Sequence, residues 1–359
     1  MSNLALKTKK NLIVPQVKKY PSTRFMGSKE KILEHIWAVA SRFEFDSVLD
    51  LFSGSGVVSY MFKSHGKKVI SNDYMSMSHS FTKALIENNS TTLSEKDLKV
   101  IFNPKNKKDS FVEKKFSGLY FKKEDNIFID TIRGSVYNLE NEYKKHLIIS
   151  CLTRACLKRR PRGIFTYTGF RYDDGRRDLQ LSLKEHFLEA VELYNNAVFD
   201  NRKSNFSYNE NSLDFKKTAD LVYLDPPYYS KHSDNDYIRR YHFVEGLAQN
   251  WDDVNFQEHT KTKKFLSYDS PFRKKETTYQ AFEQLIKKYS SKILLISYSS
   301  NSLPDKDDLM DMMRRHFDNV EVVGIDYKYS FGNQSHKIDN NNNDVSEYIF
   351  IGYQNKDKK

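Results

Sequence analysis

The stretch "LVYLDPPYYS", residues 221–230, runs four apolar residues straight into an acid, two prolines and two tyrosines. An apolar run this short reads as a strand buried on both faces, the kind found inside a parallel sheet covered by helices. Ligands of open α/β sheets bind beyond the carboxyl ends of the strands, which is where Asp225 would stand. The letters PPYY also fit the Pro-Pro-x-Tyr peptides that WW domains bind as polyproline helices. Those peptides lie in polar, flexible segments. Leu221, Val222, Tyr223 and Leu224 are apolar, so the reading favours a catalytic carboxylate at a strand end.

Upstream, "SVLDLFSGSG" at 47–56 gives a short strand, a glycine turn and a helix beginning near Gly56. Gly54 and Gly56 permit a tight turn and close approach of a ligand to the backbone. The third position of a dinucleotide fingerprint is Ser59, so the pattern is incomplete, and a plain strand–helix turn is the alternative. "KKVISND" reads as a second strand ending at Asp73, about twenty residues past the glycine turn, the spacing at which an acid holds ribose hydroxyls. Capping of the next helix, expected over 75–88, is the other use for that carboxylate. Apolar spacing predicts a helix over 28–42, and Ser182 with Glu185 forms a capping box for a helix after 182. Strands are expected at 204–208 and in "KILLISYS", helices around 240–250, 276–289 and 305–316. The pair "VEVVGIDYKY" and "SEYIFIGYQ" reads as a closing antiparallel hairpin around the low-complexity run "DNNNND" at 339–344. Strand–turn–helix–strand is the opening of a doubly wound α/β sheet.

"DPPYY" suits one kind of chemistry well. The exocyclic nitrogen of adenine shares its lone pair with the ring and is a poor nucleophile. Two acceptors aimed at its two hydrogens draw it towards a tetrahedral shape and release the pair. The Asp225 carboxylate and the Pro226 carbonyl can be those acceptors, held in place by prolines of set φ. Tyr228 offers a face to an extruded base; stacking returns roughly 1–3 kcal/mol against an extrusion cost of a few.

Taken together and in order, "RFMGSK" (24–29), "DLFSGSG", "SND" and "DPPYY" resemble the Dam-type adenine-N6 DNA methyltransferases. The resemblance implies the class I S-adenosylmethionine-dependent methyltransferase fold, a doubly wound, mostly parallel seven-stranded sheet with a reversed last strand. It implies S-adenosylmethionine as cofactor, a flipped adenine as substrate, and a target-recognition domain inserted before the "DPPY" motif. The corresponding division is a basic arm over 1–22, a catalytic domain over 23–89 and 181–359, and an insertion over 90–180. Carried over by position, Phe25 and Lys29 face the cofactor. Asp50, Phe52, Gly54 and Gly56 belong to the glycine loop, Asp73 holds ribose, and Asp225 touches both cofactor and adenine. Departures are Ser28, where the family carries a second glycine after Gly27, and Asn211, which falls where an acid often stands beside the cofactor's adenine.

The insertion contains "CLKRRPRGIFTYTGFRYDDGRRD" (156–178), with Lys158, Arg159, Arg160, Arg162, Arg171, Arg176 and Arg177 interleaved with Tyr167, Phe170 and Tyr172. Arginine reads guanine bidentately and aromatics wedge or stack, but most protein–DNA hydrogen bonds go to phosphate. A solvated basic loop is the plain alternative. A net charge of +11 on 359 residues fits a polyanionic partner, here double-stranded DNA, and 14% aromatic residues argue against wholesale disorder. The excursion over 228–275 is also basic and can share the DNA contacts. Two cysteines five residues apart fit no zinc pair, and no histidine has ligand spacing, so no metal site is expected. So few cysteines make a reducing, cytoplasmic setting the simplest inference, and no run of eighteen apolar residues suggests a membrane span. The expected activity is site-specific adenine-N6 methylation of DNA, alone or beside a cognate restriction endonuclease. The rivals are an RNA adenine methyltransferase, a protein-amide methyltransferase, whose motif begins with Asn rather than Asp, and a non-catalytic DNA-binding subunit.

Overall fold

A computed structural model describes residues 13–103, 110–136, 139–169, 172–230, 236–325 and 346–357. One seven-stranded sheet runs in the order β3-β2-β1-β4-β5-β7-β6. Its strands are β1 (Ser47–Asp50), β2 (Lys68–Asn72), β3 (Phe206–Tyr208), β4 (Leu221–Leu224), β5 (Ile293–Ser299), β6 (Asn319–Ile325) and β7 (Glu347–Tyr353). The first five are parallel, and β7 lies antiparallel between β5 and β6. This is the doubly wound class I methyltransferase arrangement with its reversed strand. The "DNNNND" run lies outside the described residues.

The apolar runs are explained by burial on two faces. In β4, Leu221 and Tyr223 enter one core while Val222 and Leu224 enter the other. In β5, Ile293 and Leu295 alternate in the same way with Leu294 and Ile296. With a side-chain period of two and helices on both faces, no polar face remains to break the run.

The helices are α1 (Leu33–Ala40), α2 (Val57–Ser64), α3 (Ser76–Thr82), α4 (Glu95–Phe102), α5 (Phe111–Lys115) and α6 (Lys123–Val136). They continue as α7 (Glu142–Arg159), α8 (Arg177–Gln180), α9 (Leu183–Ala197), α10 (Tyr237–Ala248), α11 (Lys275–Lys288) and α12 (Lys306–Arg314). The Ser182–Glu185 capping box opens α9 as its sequence indicates. The helix expected over 28–42 is shorter: Glu30–Ile32 form a 3-10 turn before α1. The helix expected over 75–88 ends in a π turn, Lys83–Glu87. There the buried Lys63 ammonium accompanies the widened backbone, donating to the Leu85 and Asn88 carbonyls at 2.9 and 2.8 Å.

The described residues of the expected insertion, 90–180, are built mainly on α4 to α8, and their core is continuous with that of the sheet. Ile101, Phe116, Ile132, Leu147 and Leu152 belong to the same buried cluster as Val48 and Leu221. Phe243 of α10 packs on Phe116 and Phe165, with ring centroids 4.9 and 5.0 Å apart, so the 228–275 excursion docks on this helical layer. Glu245 of α10 accepts hydrogen bonds from the Ser76 and Met77 amides at 2.8 and 2.9 Å, capping α3. Of the basic arm expected over 1–22, residues 1–12 lie outside the described residues. The rest is not loose: Val17 is buried and the Tyr20 hydroxyl donates to the Ser55 carbonyl.

A shared core requires shared unfolding. The chain's two tryptophans, Trp37 packed on Phe45 and Phe62 and Trp251 packed on Phe116, report on different parts of it. Trp37→Phe and Trp251→Phe variants should give urea fluorescence transitions that each coincide with the same variant's circular-dichroism transition. Separated midpoints would show that the helical layer unfolds by itself.

Candidate active site

The strand order turns at β1, whose neighbours are β2 and β4. Such a switch point leaves a crevice beyond the carboxyl ends of the strands. Here it opens as a cleft lined by Phe25, Lys29, Phe52, Gly54, Asp73, Asn211, Asp225, Pro226 and Tyr228 among others. The residues named come from five separate segments of the chain.

The glycine loop forms one wall. Gly54 and Gly56 have φ of +51° and +83°, a region that favours glycine. A Cβ on Gly54 would stand 3.2 Å from the Phe25 ring, so the ring lies on the loop. The other side of Phe25 is occupied by the rings of Tyr241 and Tyr237, at 5.4 and 6.1 Å. Asp73 accepts from the Gly54 amide at 2.7 Å and from the Met75 amide at 2.8 Å, while also lining the cleft. The helix-entry use and the cleft-facing position therefore occur in one carboxylate. Burial, opposed by these amides, raises its pKa to about 6.

Asp50 does not line the cleft. It is buried beneath the loop, where Ser59 donates to it at 2.7 Å across the first turns of α2. Burial, with Asp225 and Asp73 adding repulsion, raises its pKa to about 7. Its geometry is that of a brace under the glycine loop. Gly56 is likewise not among the lining residues; it supplies the left-handed residue that opens α2.

Asp225 follows β4 directly. Lys29 approaches it at 3.0 Å, and the Tyr228 hydroxyl donates to it at 3.1 Å. Burial raises its pKa to about 6 despite the lysine, with Glu347 adding repulsion. Lys29 is only 3% exposed; it also donates to the Gly27 carbonyl at 2.9 Å and stands 4.8 Å from the centre of the Tyr228 ring. Glu347, fully buried at the start of β7, accepts from the Tyr228 hydroxyl and lies 3.6 Å from Lys29. No sequence motif marked Glu347, because its only local signal is a lone acid preceding an apolar run.

The basic segment divides. Arg160 is buried and donates to the carbonyls of Tyr167 and Gly169 at 2.9 Å each and of Tyr120 at 3.3 Å. Arg159, 9% exposed, donates to the Leu179 carbonyl at 2.5 Å and lies 3.7 Å from Asp125. These two were expected among the DNA contacts, but they hold backbone inside the helical layer. Lys158 pairs with Asp178 at 2.9 Å, Arg176 with Asp174 and Arg177 with Glu189. Arg162 is exposed and covers the Tyr172 ring at 3.8 Å. Arg171 lies outside the described residues. Arg24, in a motif that meant little alone, donates to the Arg160 carbonyl at 2.5 Å and pairs with Asp178 at 2.6 Å, tying the cleft's first segment to this layer.

Among the described residues, no group of three His, Cys, Asp or Glu side chains could hold a metal, and no helix is long and apolar enough to cross a membrane.

The profile of the D12 class N6 adenine-specific DNA methyltransferases matches residues 25–312. The chain is 31% identical over 338 residues to the Type II methyltransferase M2.HphI of Haemophilus parahaemolyticus, covering 89% of this chain and 95% of that protein. It is 28% identical over 353 residues to the Type II methyltransferase M.FokI of Planomicrobium okeanokoites, with 91% of this chain and 52% of that protein covered. It is 24% identical over 347 residues to the Type II methyltransferase M.NlaIII of Neisseria lactamica, at 91% and 98% coverage. The chain thus spans about half of M.FokI and nearly all of the other two.

The two arginine environments predict opposite phenotypes. Arg160→Ala leaves buried carbonyls without their donor, at a cost of about 2–3 kcal/mol of stability. Arg162→Ala should stay within about 0.5 kcal/mol of the parent. Urea titration of both variants checks this; equal stabilities would remove the structural role of Arg160.

Proposed function

The chain belongs to the D12 class of N6 adenine-specific DNA methyltransferases, and from that premise we propose that its cleft binds S-adenosylmethionine and presents Asp225 to an adenine swung out of double-stranded DNA. One observation carries the reading: the Asp225 carboxylate stands at the end of β4 and opens onto the same cleft as the Gly54 loop and Asp73.

The residues present fit the cofactor. Asp73 and Asp225 line the cleft, with Asp50 and Glu347 buried behind its wall and Lys29 set between Asp225 and Glu347. Such an acidic pocket suits a ligand that carries a cationic sulfonium. When bound, S-adenosylmethionine supplies an electrophilic methyl group. Phe25 and Phe52 bound its site, the loop backbone at Gly54 lets it approach, Asp73 accepts from ribose hydroxyls, and Asn211 borders the adenine end. Asp225 and the Pro226 carbonyl accept the two N6 hydrogens of the target adenine, which localises the nitrogen lone pair for transfer. The amine leaves transfer as a cation, and the Asp225 carboxylate is placed to take its proton. Tyr228 gives the extruded base a stacking face.

Lys158, Arg162, Arg176 and Arg177, with Lys261, Lys263 and Lys264 of the excursion, supply phosphate contacts from the helical layer, which acts as the target-recognition region. The names of the relatives suggest the modification half of a type II restriction–modification pair, with a cognate endonuclease as its partner and the cytoplasm as its place of work.

Expression in a host lacking adenine methylation, followed by sequencing of the modified genome, should reveal N6-methyladenine at one short motif; methylation of RNA and not DNA would overturn the substrate. Asp225→Ala should lower turnover by about 10²–10³ or more while keeping most of its DNA affinity. Asp73→Ala should weaken S-adenosylmethionine binding about tenfold or more, because it removes a ligand contact and unpins Gly54 together. Calorimetric titration showing parental affinity would reject the ribose role.

A further inference from the structure

We infer that Glu347 is a positioning residue of the transfer site: its buried carboxylate orients the Tyr228 ring and shares the Lys29 ammonium with Asp225, so that the lysine is not paired with Asp225 alone. The role rests on the adenine-transfer reading above and adds a residue more than a hundred positions beyond the "DPPYY" motif.

The geometry is specific. Glu347 is the first residue of β7 and sits in register with Ser299 of β5. Its side chain is fully buried, and Oε1 accepts from the Tyr228 hydroxyl and from the Ser297 hydroxyl at 3.0 Å, with Lys29 at 3.6 Å. A buried carboxylate is costly unless hydrogen-bonded and paired, and this one has both kinds of partner.

Two consequences follow. First, the Tyr228 ring is held at both ends. Its single hydroxyl proton is shared between the carboxylates of Glu347 and of Asp225, the latter at 3.1 Å, and its ring meets Tyr298 edge-on, with centroids 4.8 Å apart and planes at 74°. An untethered ring would be a poorer platform, and transfer depends steeply on the alignment of the reacting atoms. Second, Lys29 is shared. It touches Asp225 at 3.0 Å and the Gly27 carbonyl at 2.9 Å, with Glu347 on its other side at 3.6 Å. Loss of the Glu347 charge leaves the ammonium to Asp225, where it competes for the oxygen that the amine must reach.

The charge balance gives a signature that a packing role would not. The groups facing Asp225 are Lys29 from the first motif, Glu347 from β7, Asp50 from β1, Tyr223 of its own strand, the Tyr228 hydroxyl, and Tyr237 from α10. Lys29 and the Tyr228 hydroxyl favour its ionised form, and Glu347 opposes it. Activity requires the ionised carboxylate, so kcat/KM falls as pH drops through its pKa of about 6. Removing the Glu347 charge should move that limb to lower pH. Removing the Tyr228 hydroxyl should move it to higher pH.

The test uses the full chain, S-adenosylmethionine and a duplex carrying the methylated motif. Glu347→Gln is expected to lower kcat roughly 10–100-fold. KM for cofactor and DNA should stay within about threefold, because the ground-state contacts remain. Its acidic limb should shift down, whereas Tyr228→Phe should lose turnover with its limb shifted up. The double variant should cost less than the product of the single losses, because the Tyr228–Glu347 hydrogen bond is common to both. Parental turnover and an unmoved limb in Glu347→Gln, or full additivity in the double variant, would overturn the assignment. If Glu347→Gln fails to fold, Tyr228→Phe decides alone: parental kcat and limb would mean that the tether is idle. A parent enzyme that methylates no adenine would refute the transfer reading instead, and the two failures are thus separable.

Discussion

A buried ammonium lies between a buried carboxylate and one that opens onto the cleft, and the architecture of the cleft follows from keeping it there. Lys29 is 3% exposed, with Asp225 at 3.0 Å and Glu347 at 3.6 Å. Buried ion pairs seldom add stability over apolar packing, so their value here lies in geometry. Lys29 holds the first motif against the end of β4 and the start of β7. That motif is docked elsewhere as well: Arg24 binds the Arg160 carbonyl, Phe25 lies on the Gly54 loop, and the Met26 amide donates to the Tyr241 hydroxyl at 2.8 Å.

The reversed strand has a chemical use in this arrangement. Parallel strands deliver their carboxyl ends to one edge of the sheet, and Asp50, Asp73 and Asp225 arrive there at or just after β1, β2 and β4. Because β7 runs antiparallel to β5, it is its first residue, Glu347, that reaches the same edge beside Ser299. A parallel β7 would put that acid at the opposite edge of the sheet. Burial raises the pKa of Asp50, Asp73 and Asp225, the expected response of carboxylates gathered in a desolvated pocket with few compensating cations.

The helical layer shows why basic composition is a poor guide to individual contacts. Arg160 and Arg162 are two residues apart in one basic run. One fills a nest of backbone carbonyls, and the other lies exposed over Tyr172. A guanidinium satisfies carbonyls and phosphates with the same donors, so its chemistry does not distinguish the two environments.

Much of the fold was legible in the chain alone, because local physics determines it. Two-sided burial demands continuous apolar strands such as Leu221–Leu224, Gly54 and Gly56 mark a left-handed turn, and Ser182 with Glu185 marks a helix start. The order of the motifs and the closing hairpin likewise follow from the sequence. The resemblance to the methyltransferase motifs implied a common site for Phe25, Lys29, Phe52, Gly54, Asp73, Asn211, Asp225, Pro226 and Tyr228, and all nine line one cleft. Tertiary structure alone decided that Asp50 braces the loop from below, that Arg159 and Arg160 face inward, and that residues 90–180 share the core of the sheet. It alone brought in Glu347, whose partners lie 119 residues away at Tyr228 and, nearer the other end of the chain, at Lys29. A carboxylate's environment is set by what packs around it, and no local pattern encodes a neighbour that arrives from another strand.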